Sequence, residues 1–446
     1  MQMQFGLSSY KRARGDLAEL PVVNFTAEEA AAEGKVILQS RPGISDRSAD
    51  MGADAVEQVF RHDGVLSGEL FGVAGGDFYA GTTSKGAING SGSVSIAGYE
   101  DRVFAAAGGS LWGYNGTTLA TIAVPDSANV TKVLVGSSRA IILRADTQQY
   151  YWSDVLSTTI GALSFSSAES QPDRLRDALY LDDTLILFGA ETVEFHPNTG
   201  NADLPFQPLE GRVFEKGIRA TGCATVWNGT FAWVGNDNVV YINGQAPQPI
   251  SDEGLNARIA ASTTCRLFAF TLEGQEYLAL RLDEETQVFG KTWTEFKSYG
   301  ETNWIPQCYS DGVFGSSIDG RTLEWGSDNL DLGGVLERRF RGGFALNSGG
   351  VPIANILLRS NPGNTPYLTG TYADPSVEMR ISRDAGNTWG SWRRKSLGAQ
   401  GRYRKKLQWV ACGVASHPGL LVDFRVTDPI DWRVSDVLFN EGYGGR

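Results

Sequence analysis

The sequence predicts an all-β chain, with a β-propeller-like body of six or seven blades and an additional C-terminal β-sandwich-like domain. Three observations lead there. Glycine occupies 54 of 446 positions, well above a usual share of roughly 7%, and accompanies frequent Val, Thr and aromatic residues, the mixture of short strands joined by tight turns. A hairpin pattern recurs, clearest as Phe71–Tyr79 and Phe104–Trp112, with Gly75 and Gly108 standing 33 residues apart. Beyond Val351, separate runs alternate apolar and polar residues as half-buried strands do.

A chain of this length exceeds a single core, which stops growing at roughly 250 to 300 residues. The expected division is 1–50 as an N-terminal arm and first strands, 51–346 as the propeller-like body, and 347–446 as the sandwich-like domain. Within the arm, Thr26–Gly34 carries a capping-box pattern whose local reading is a short helix.

In the body, further turns fall around Ala145-Asp146, Gly189-Ala190, Gly235-Asn236, Glu273-Gly274 and Asp319-Gly320. Their spacing suits one four-stranded blade each, since propeller repeats run about 40 to 50 residues. Trp112, Trp152, Trp227, Trp233 and Trp325 are candidate residues for packing between blades. In the last domain the expected strands are Ile353–Leu358, Val377–Ile381, Leu407–Val414, Leu420–Val426 and Val434–Leu438.

The net charge of −12 conceals an asymmetry. Val335–Arg446 holds 16 Lys and Arg against 9 Asp and Glu, whereas the preceding residues hold 23 against 42. An acidic body opposes non-specific adhesion to nucleic acid, and a basic end calls for an acidic neighbour. Cys223, Cys265, Cys308 and Cys412 lie too far apart for metal-ligand spacing and read as free thiols. Met1–Tyr10 lacks the apolar stretch of a signal peptide and no 18-residue apolar run occurs, so no membrane insertion by this chain is expected.

Sites of chemistry are sparse. Ser382, Asp384, Gly386, Thr388 and Trp389 fit the Asp-box pattern S-x-D-x-G-x-T-W known from sialidases and other propellers. Physically it describes a hairpin in which Asp384 and Ser382 bind turn amides, so a structural role is expected. Asp182-Asp183 and Asp283–Glu285 supply adjacent acids, but glycoside hydrolysis needs two carboxyls held about 5 to 9.5 Å apart, and these read as solvated turns. His62, His196 and His417 have no partner at ligand spacing, and no phosphate loop or dinucleotide fingerprint occurs. Arg14-Gly15-Asp16 is a chance tripeptide. The expectation is no catalytic residue, no metal and no cofactor.

The sharpest charge feature is Arg393, Arg394 and Lys395, followed across Gly398–Gly401 by Arg402, Arg404, Lys405 and Lys406. If both limbs form one hairpin face, they concentrate positive potential for a phosphate backbone or an acidic subunit surface; a solvated face is the third reading.

Several separated motifs then acquire a common meaning: LPVVN at Leu20–Asn24, RPGI at Arg41–Ile44, AESQPD at Ala168–Asp173, FGAETVEF at Phe188–Phe195 and EKGIRATGC at Glu215–Cys223. In this order they resemble the packaged-DNA stabilisation proteins, the tail hub or nozzle proteins of short-tailed phages. The resemblance implies an extended arm and loop between Asn24 and the strand Val36–Gln39 in place of the local helix, and a homohexameric ring below the head-to-tail adaptor and portal. That ring extends and closes the DNA exit channel after packaging, with transient passage of double-stranded DNA through its lumen. It also implies attachment of a tail needle or plug and of tailspikes or fibres, with residence in the virion tail after assembly in the host cytoplasm. The −19 balance of the body favours a lumen that repels phosphate and lets DNA slide. The alternative is a carbohydrate-active or carbohydrate-binding propeller, a depolymerase or host-recognition protein.

Overall fold

Among the described residues, seven four-stranded antiparallel units follow one another. A computed structural model describes residues 19–30, 35–90, 93–168, 173–346 and 349–440. The innermost strands of the seven units are Val56–Phe60, Ser95–Tyr99, Val130–Gly136, Leu175–Leu181, Ala224–Trp227, Cys265–Leu272 and Pro306–Ser310. Each neighbours the next, and the seventh returns to the first, so the blades close a propeller. The lower of the two expected blade numbers is therefore set aside.

Closure is made by a distant strand. Ile44–Asp46 pairs antiparallel with Thr322–Trp325 as the outer strand of the seventh blade, in the register Trp325↔Ile44 and Leu323↔Asp46. Backbone bonds from Arg47 to Thr322 O (3.0 Å) and from Met51 to Gly320 O (2.7 Å) continue the seam. A Cβ on Gly320 would lie 2.2 Å from Gly52 O, so the two chain segments approach as only glycine allows.

Most of the anticipated turns join the second and third strands of a blade. Gly75-Gly76 and Gly108-Gly109 adopt positive φ there. Glu273-Gly274 differs: it joins the first and second strands of blade six, whose second-to-third connection is Asp283–Glu285. The sequence offers an acidic turn at both places, with glycine only at the first, and the pairing partner separates them.

Alternating residues interlock between blades. Phe71, Val73 and Phe78 of blade one meet Val103, Ala105 and Tyr114 of blade two. Of the five proposed tryptophans, Trp152, Trp227 and Trp233 are buried, whereas Trp112 and Trp325 are half-buried. A further one, Trp304, is fully enclosed and packs with Phe268, Phe270, Phe296, Phe314 and Trp325.

Most of the remaining strands form two facing sheets. One contains Val22–Val23, Arg338–Ala345, Gly419–Val426, Ser376–Ser382 and Arg393–Ser396; the other contains Phe25–Ala30, Lys35–Ser40, Arg433–Phe439, Asn355–Ser360 and Leu407–Val410. Phe25, Phe340, Met379, Trp409, Phe424 and Trp432 lie in the core between them. Val22–Val23 belongs to both bodies, running parallel to Trp293–Phe296 of blade six and antiparallel to Arg338–Ala345. Propeller blade and sandwich sheet thus merge into nine continuous strands.

Two local expectations change. The segment with the capping-box pattern is a strand over Phe25–Ala30, paired with Lys35–Ser40, because Phe25 and Ala27 alternate into the sandwich core; residues 31–34 lie outside the described residues. The basic limbs do not make one hairpin. Arg393–Ser396 closes one sheet, while the chain after Lys406 enters the other at Leu407–Val410. Leu397, Leu407 and Trp409 draw the crossing chain into the core.

Candidate functional site

The separated sequence motifs converge in two places. Asn24, with φ of 60°, ends its strand so that its side-chain oxygen accepts from Arg41 Nε and from the Lys297 amide, both at 2.9 Å. Its amide donates to Glu337 O at 2.8 Å. Arg41 is wholly buried, and its guanidinium lies 5.4 Å from the Phe296 ring centre and 6.0 Å from that of Trp304. LPVVN and RPGI therefore bind the closing strand, blade six and the sandwich together.

The second convergence spans blades four and five. Asp173 accepts from the amides of Glu191 (2.7 Å) and Thr192 (2.9 Å), clamping the turn inside FGAETVEF. Glu169–Pro172, the middle of AESQPD, lie outside the described residues, as does Arg14-Gly15-Asp16. Ile218 donates its amide to Gly189 O at 2.9 Å, and Asn236 donates its side chain to Ala190 O at 3.0 Å. Arg176 binds the carbonyls of Ile218 (3.0 Å) and Arg219 (2.7 Å), while Asp177 accepts from Gly222 N at 2.7 Å. Cys223 Sγ sits 3.1 Å from Cys265 O, and the neighbouring Cys265 side chain first, then burial, push its thiol up, away from nucleophilic use. These motifs fasten blades to one another.

The exposed face of the sandwich carries a denser charge network. Asp423 accepts from Arg339 at 2.6 Å, Arg380 at 2.8 Å and Arg341 at 3.2 Å. Burial alone raises a carboxyl, but Arg339 first, then Arg341 and Arg380, hold Asp423 below its ordinary range. Trp389 stacks on Arg341 (4.5 Å) and Arg380 (4.6 Å), and Trp392 on Arg380 (4.5 Å) and Arg425 (4.1 Å). Arg425 also meets Glu378 at 2.7 Å. Sequence reasoning missed this network. Its signal was present as charges two apart, Arg339/Arg341, Glu378/Arg380 and Asp423/Arg425, which share a strand face.

The Asp-box hairpin borders that face. Ser382 Oγ donates to Asp384 Oδ1 at 2.7 Å and accepts from Gly386 N at 2.7 Å. Thr388 donates its amide to Oδ1 at 2.9 Å and its hydroxyl to Oδ2 at 2.6 Å. Bonds from Ser382 and then Thr388 bring the Asp384 carboxyl down to about 2. Gly386 has φ of 100°, and Trp389 donates its indole N–H to Gly386 O at 3.1 Å.

The basic residues divide by environment. Arg393 is half-buried, binding Val410 O at 2.7 Å; Arg394 donates to Ser376 Oγ at 2.7 Å. Lys405 donates to Ser396 Oγ. Arg394, Lys395, Arg402, Arg404 and Lys406 are exposed, and among the described residues they make no ion pair. Gly401–Lys405 line a shallow open concavity.

The other candidates stand apart. Asp182 and Asp183 are exposed, with Asp183 accepting from Tyr180 at 2.7 Å. Asp283 accepts from Thr263 and Thr264 amides at 2.7 and 2.8 Å; the Thr264 hydroxyl and these amides hold it far below a proton donor's range. Glu285, expected in an exposed loop, is buried and bound to Arg258 at 2.5 Å. His196 is buried between Tyr150 (3.0 Å) and Glu194 (3.2 Å), His62 accepts from Gly64 N at 3.1 Å, and His417 lies apart from both in the sandwich. Among the described residues, no group of three or more His, Cys, Asp and Glu is arranged to hold a metal ion.

A family model described as bacteriophage P22 Gp10, β-propeller, matches residues 1–312. A curated relative, tail hub protein gp10 of Salmonella phage P22, is 26% identical over 298 residues. That alignment takes in 60% of this chain and 62% of the relative, so less than two thirds of the relative is spanned. Among solved structures, YCF48 from Cyanidioschyzon merolae aligns with a TM-score of 0.44 at 10% identity, covering 65% of this chain and 100% of that one. BBS1N in complex with ARL6DN aligns with a TM-score of 0.44 at 12% identity, covering 64% of this chain and 98% of its own.

Proposed function

The chain belongs to this phage-stabilisation family of β-propellers, and on that premise we propose that it is a structural tail hub. Six copies join as a ring below the portal and adaptor, extend and close the DNA exit channel after packaging, and provide the seat for a tail needle or plug and for tailspikes or fibres. The ring is assembled in the host cytoplasm and resides in the virion tail. Double-stranded DNA passes through it during ejection.

The observation that carries this reading is the family match, which extends from the closing strand through six blades and into the seventh. The work asked of such a part is mechanical. A propeller closed by a strand from the other end of the chain, and fused through Val22–Val23 to a sandwich, suits a load-bearing ring. The division into a body over 51–346 and a sandwich over 347–446 leaves one sandwich strand, Arg338–Ala345, on the body's side of the boundary, and each unit is completed by strands from the first 50 residues. No catalytic step is assigned: Asp384 and Asp283 are ionised hydrogen-bond acceptors in turns, unlike the protonated acid that glycoside cleavage requires. The acidic body is read as favouring a sliding lumen over a gripping one.

Reconstruction of purified particles without imposed symmetry tests the proposal. Six copies in a ring on the tail axis are expected, and particles lacking the chain should lose packaged DNA. Its absence from infectious particles, or a wholly basic channel lining, removes the corresponding part of the proposal.

A further inference from the structure

Two exposed patches of opposite charge lie on different parts of the chain, and each leaves at least one large apolar side chain exposed. The first is on the rim of blades three and four. Leu156 binds Ser138 O through its amide at 2.8 Å, while Asn198 binds Ser137 Oγ at 2.9 Å, so the 153–157 and 198–212 loops meet over one turn. Val155, Leu156 and Leu163 stand exposed there, Leu163 at 87%, with Phe165 and Val213 on the outer strands of the two blades. Asp154, Asp203 and Glu210, in the same two loops, are also exposed. The exposed cation in these loops, Arg212, lies over the Phe195 ring at 4.3 Å.

The second patch is the crossing loop of the sandwich. Tyr403 is 62% exposed, bordered by Arg394, Lys395, Arg402, Arg404 and Lys406. Asp374 beside them already accepts from Ser396 Oγ.

We infer that the basic sandwich patch of one copy docks on the acidic rim of blades three and four of the next copy. This rests on the ring proposed above and names its contact. An interface core needs apolar side chains that exclude water; the rim supplies several and the sandwich patch supplies Tyr403. Charge selects the pairing: rim against rim, or sandwich against sandwich, sets like charges face to face, whereas rim against sandwich is complementary. A contact between two different surfaces of identical copies runs head to tail, and when its rotation closes it makes a ring. A DNA backbone suits the cations alone and leaves the acidic apolar rim without a partner.

The test uses the full-length chain, alone and added to the portal–adaptor complex, with assembly measured by sedimentation. Arg402→Glu with Arg404→Glu should weaken self-association at least about tenfold while thermal unfolding stays unchanged. Adding Asp203→Lys with Glu210→Lys in the same chain should restore it. A photo-crosslinker at Leu163 should join residues 393–414 of another copy. Rings that form normally in the charge-reversed chain, a failed restoration, or crosslinks to blades or to the adaptor overturn this contact and leave the ring reading standing. Loss of DNA retention with self-association unchanged likewise overturns it, making the patch a phosphate site. A wild-type chain that stays monomeric even on the adaptor defeats the ring reading and this contact together.

Discussion

Arg41 donates to both carboxylate oxygens of Asp331, at 3.0 and 2.7 Å, across 290 residues and with no solvent contact at the arginine. Asp331 also accepts from Ile44 N at 3.0 Å, the first residue of the closing strand. One ion pair therefore aligns the strand that shuts the ring. Removing one partner of a buried pair leaves an uncompensated charge, which costs about 3–5 kcal/mol. Arg41→Ala should lower unfolding stability by that amount in denaturant titration. Arg41→Lys should recover little, because an ammonium cannot present the two-pronged donor; full recovery by lysine contradicts this account.

Asp423 makes the same argument on the exposed sheet, with a pH signature. Its folded pKa is lowered, so its unfolded form binds more protons through the acid range. The contribution is complete above the ordinary aspartate value of about 3.9 and is lost as pH falls through the lower folded value. Asp423→Asn should cost about 3–5 kcal/mol at neutral pH, because Arg339, Arg341 and Arg380 then face one another unneutralised. The variant should also show a flatter stability curve between neutral pH and acid than the parent, and an unchanged slope counts against the network.

Period-two alternation made the strands beyond 351 legible, because a half-buried sheet imposes it directly on the sequence. Ser376–Ser382 and Gly419–Val426 lie within a residue of where it predicts them. Glycine turns revealed the blades for the same local reason. What alternation cannot carry is partnership across hundreds of residues. Nothing near Ile44 indicates that it completes a blade whose other strands begin at Pro306, and nothing near Val22 indicates that it bridges two bodies. The Asp423 cluster was hidden likewise: its charges are visible strand by strand, but strand order brings 341, 423 and 380 side by side, with 339 one pair along. The basic limbs do not share a hairpin because Gly398 and Gly401, which resemble a hairpin turn, serve a crossing between sheets.

The Asp-box hairpin predicts a stability effect without loss of any activity. Asp384 has its folded pKa brought to about 2, so its bonds persist above the ordinary aspartate range and disappear as pH falls through about 2. Asp384→Asn keeps an acceptor but loses charge-assisted bonds to two donor groups of Thr388. Trp389 fluorescence should report a loosened hairpin in the variant at neutral pH and in the parent only in strong acid. Glycan release by the parent, abolished in the variant, would instead make Asp384 a catalytic group.

Gly217 and Gly390 should respond oppositely to the same substitution. Neither adopts positive φ, so alanine is acceptable to the backbone at both. At Gly217 an added Cβ would lie 2.2 Å from the carbonyl of Ala190, backbone against backbone, where the motifs of blades four and five meet. At Gly390 the closest atom is Ile381 O at 3.5 Å, an ordinary contact. Gly217→Ala should then destabilise by about 1–3 kcal/mol through overpacking. Gly390→Ala should be neutral or stabilise by about 0.4–1 kcal/mol by restricting the unfolded chain. Equal effects in denaturant titration would mean that the EKGIRATGC glycine is not kept by close approach. A large loss at Gly217 alone identifies that motif as the fastening between two blades, which is the role its hydrogen bonds to Gly189 and Asn236 already give it.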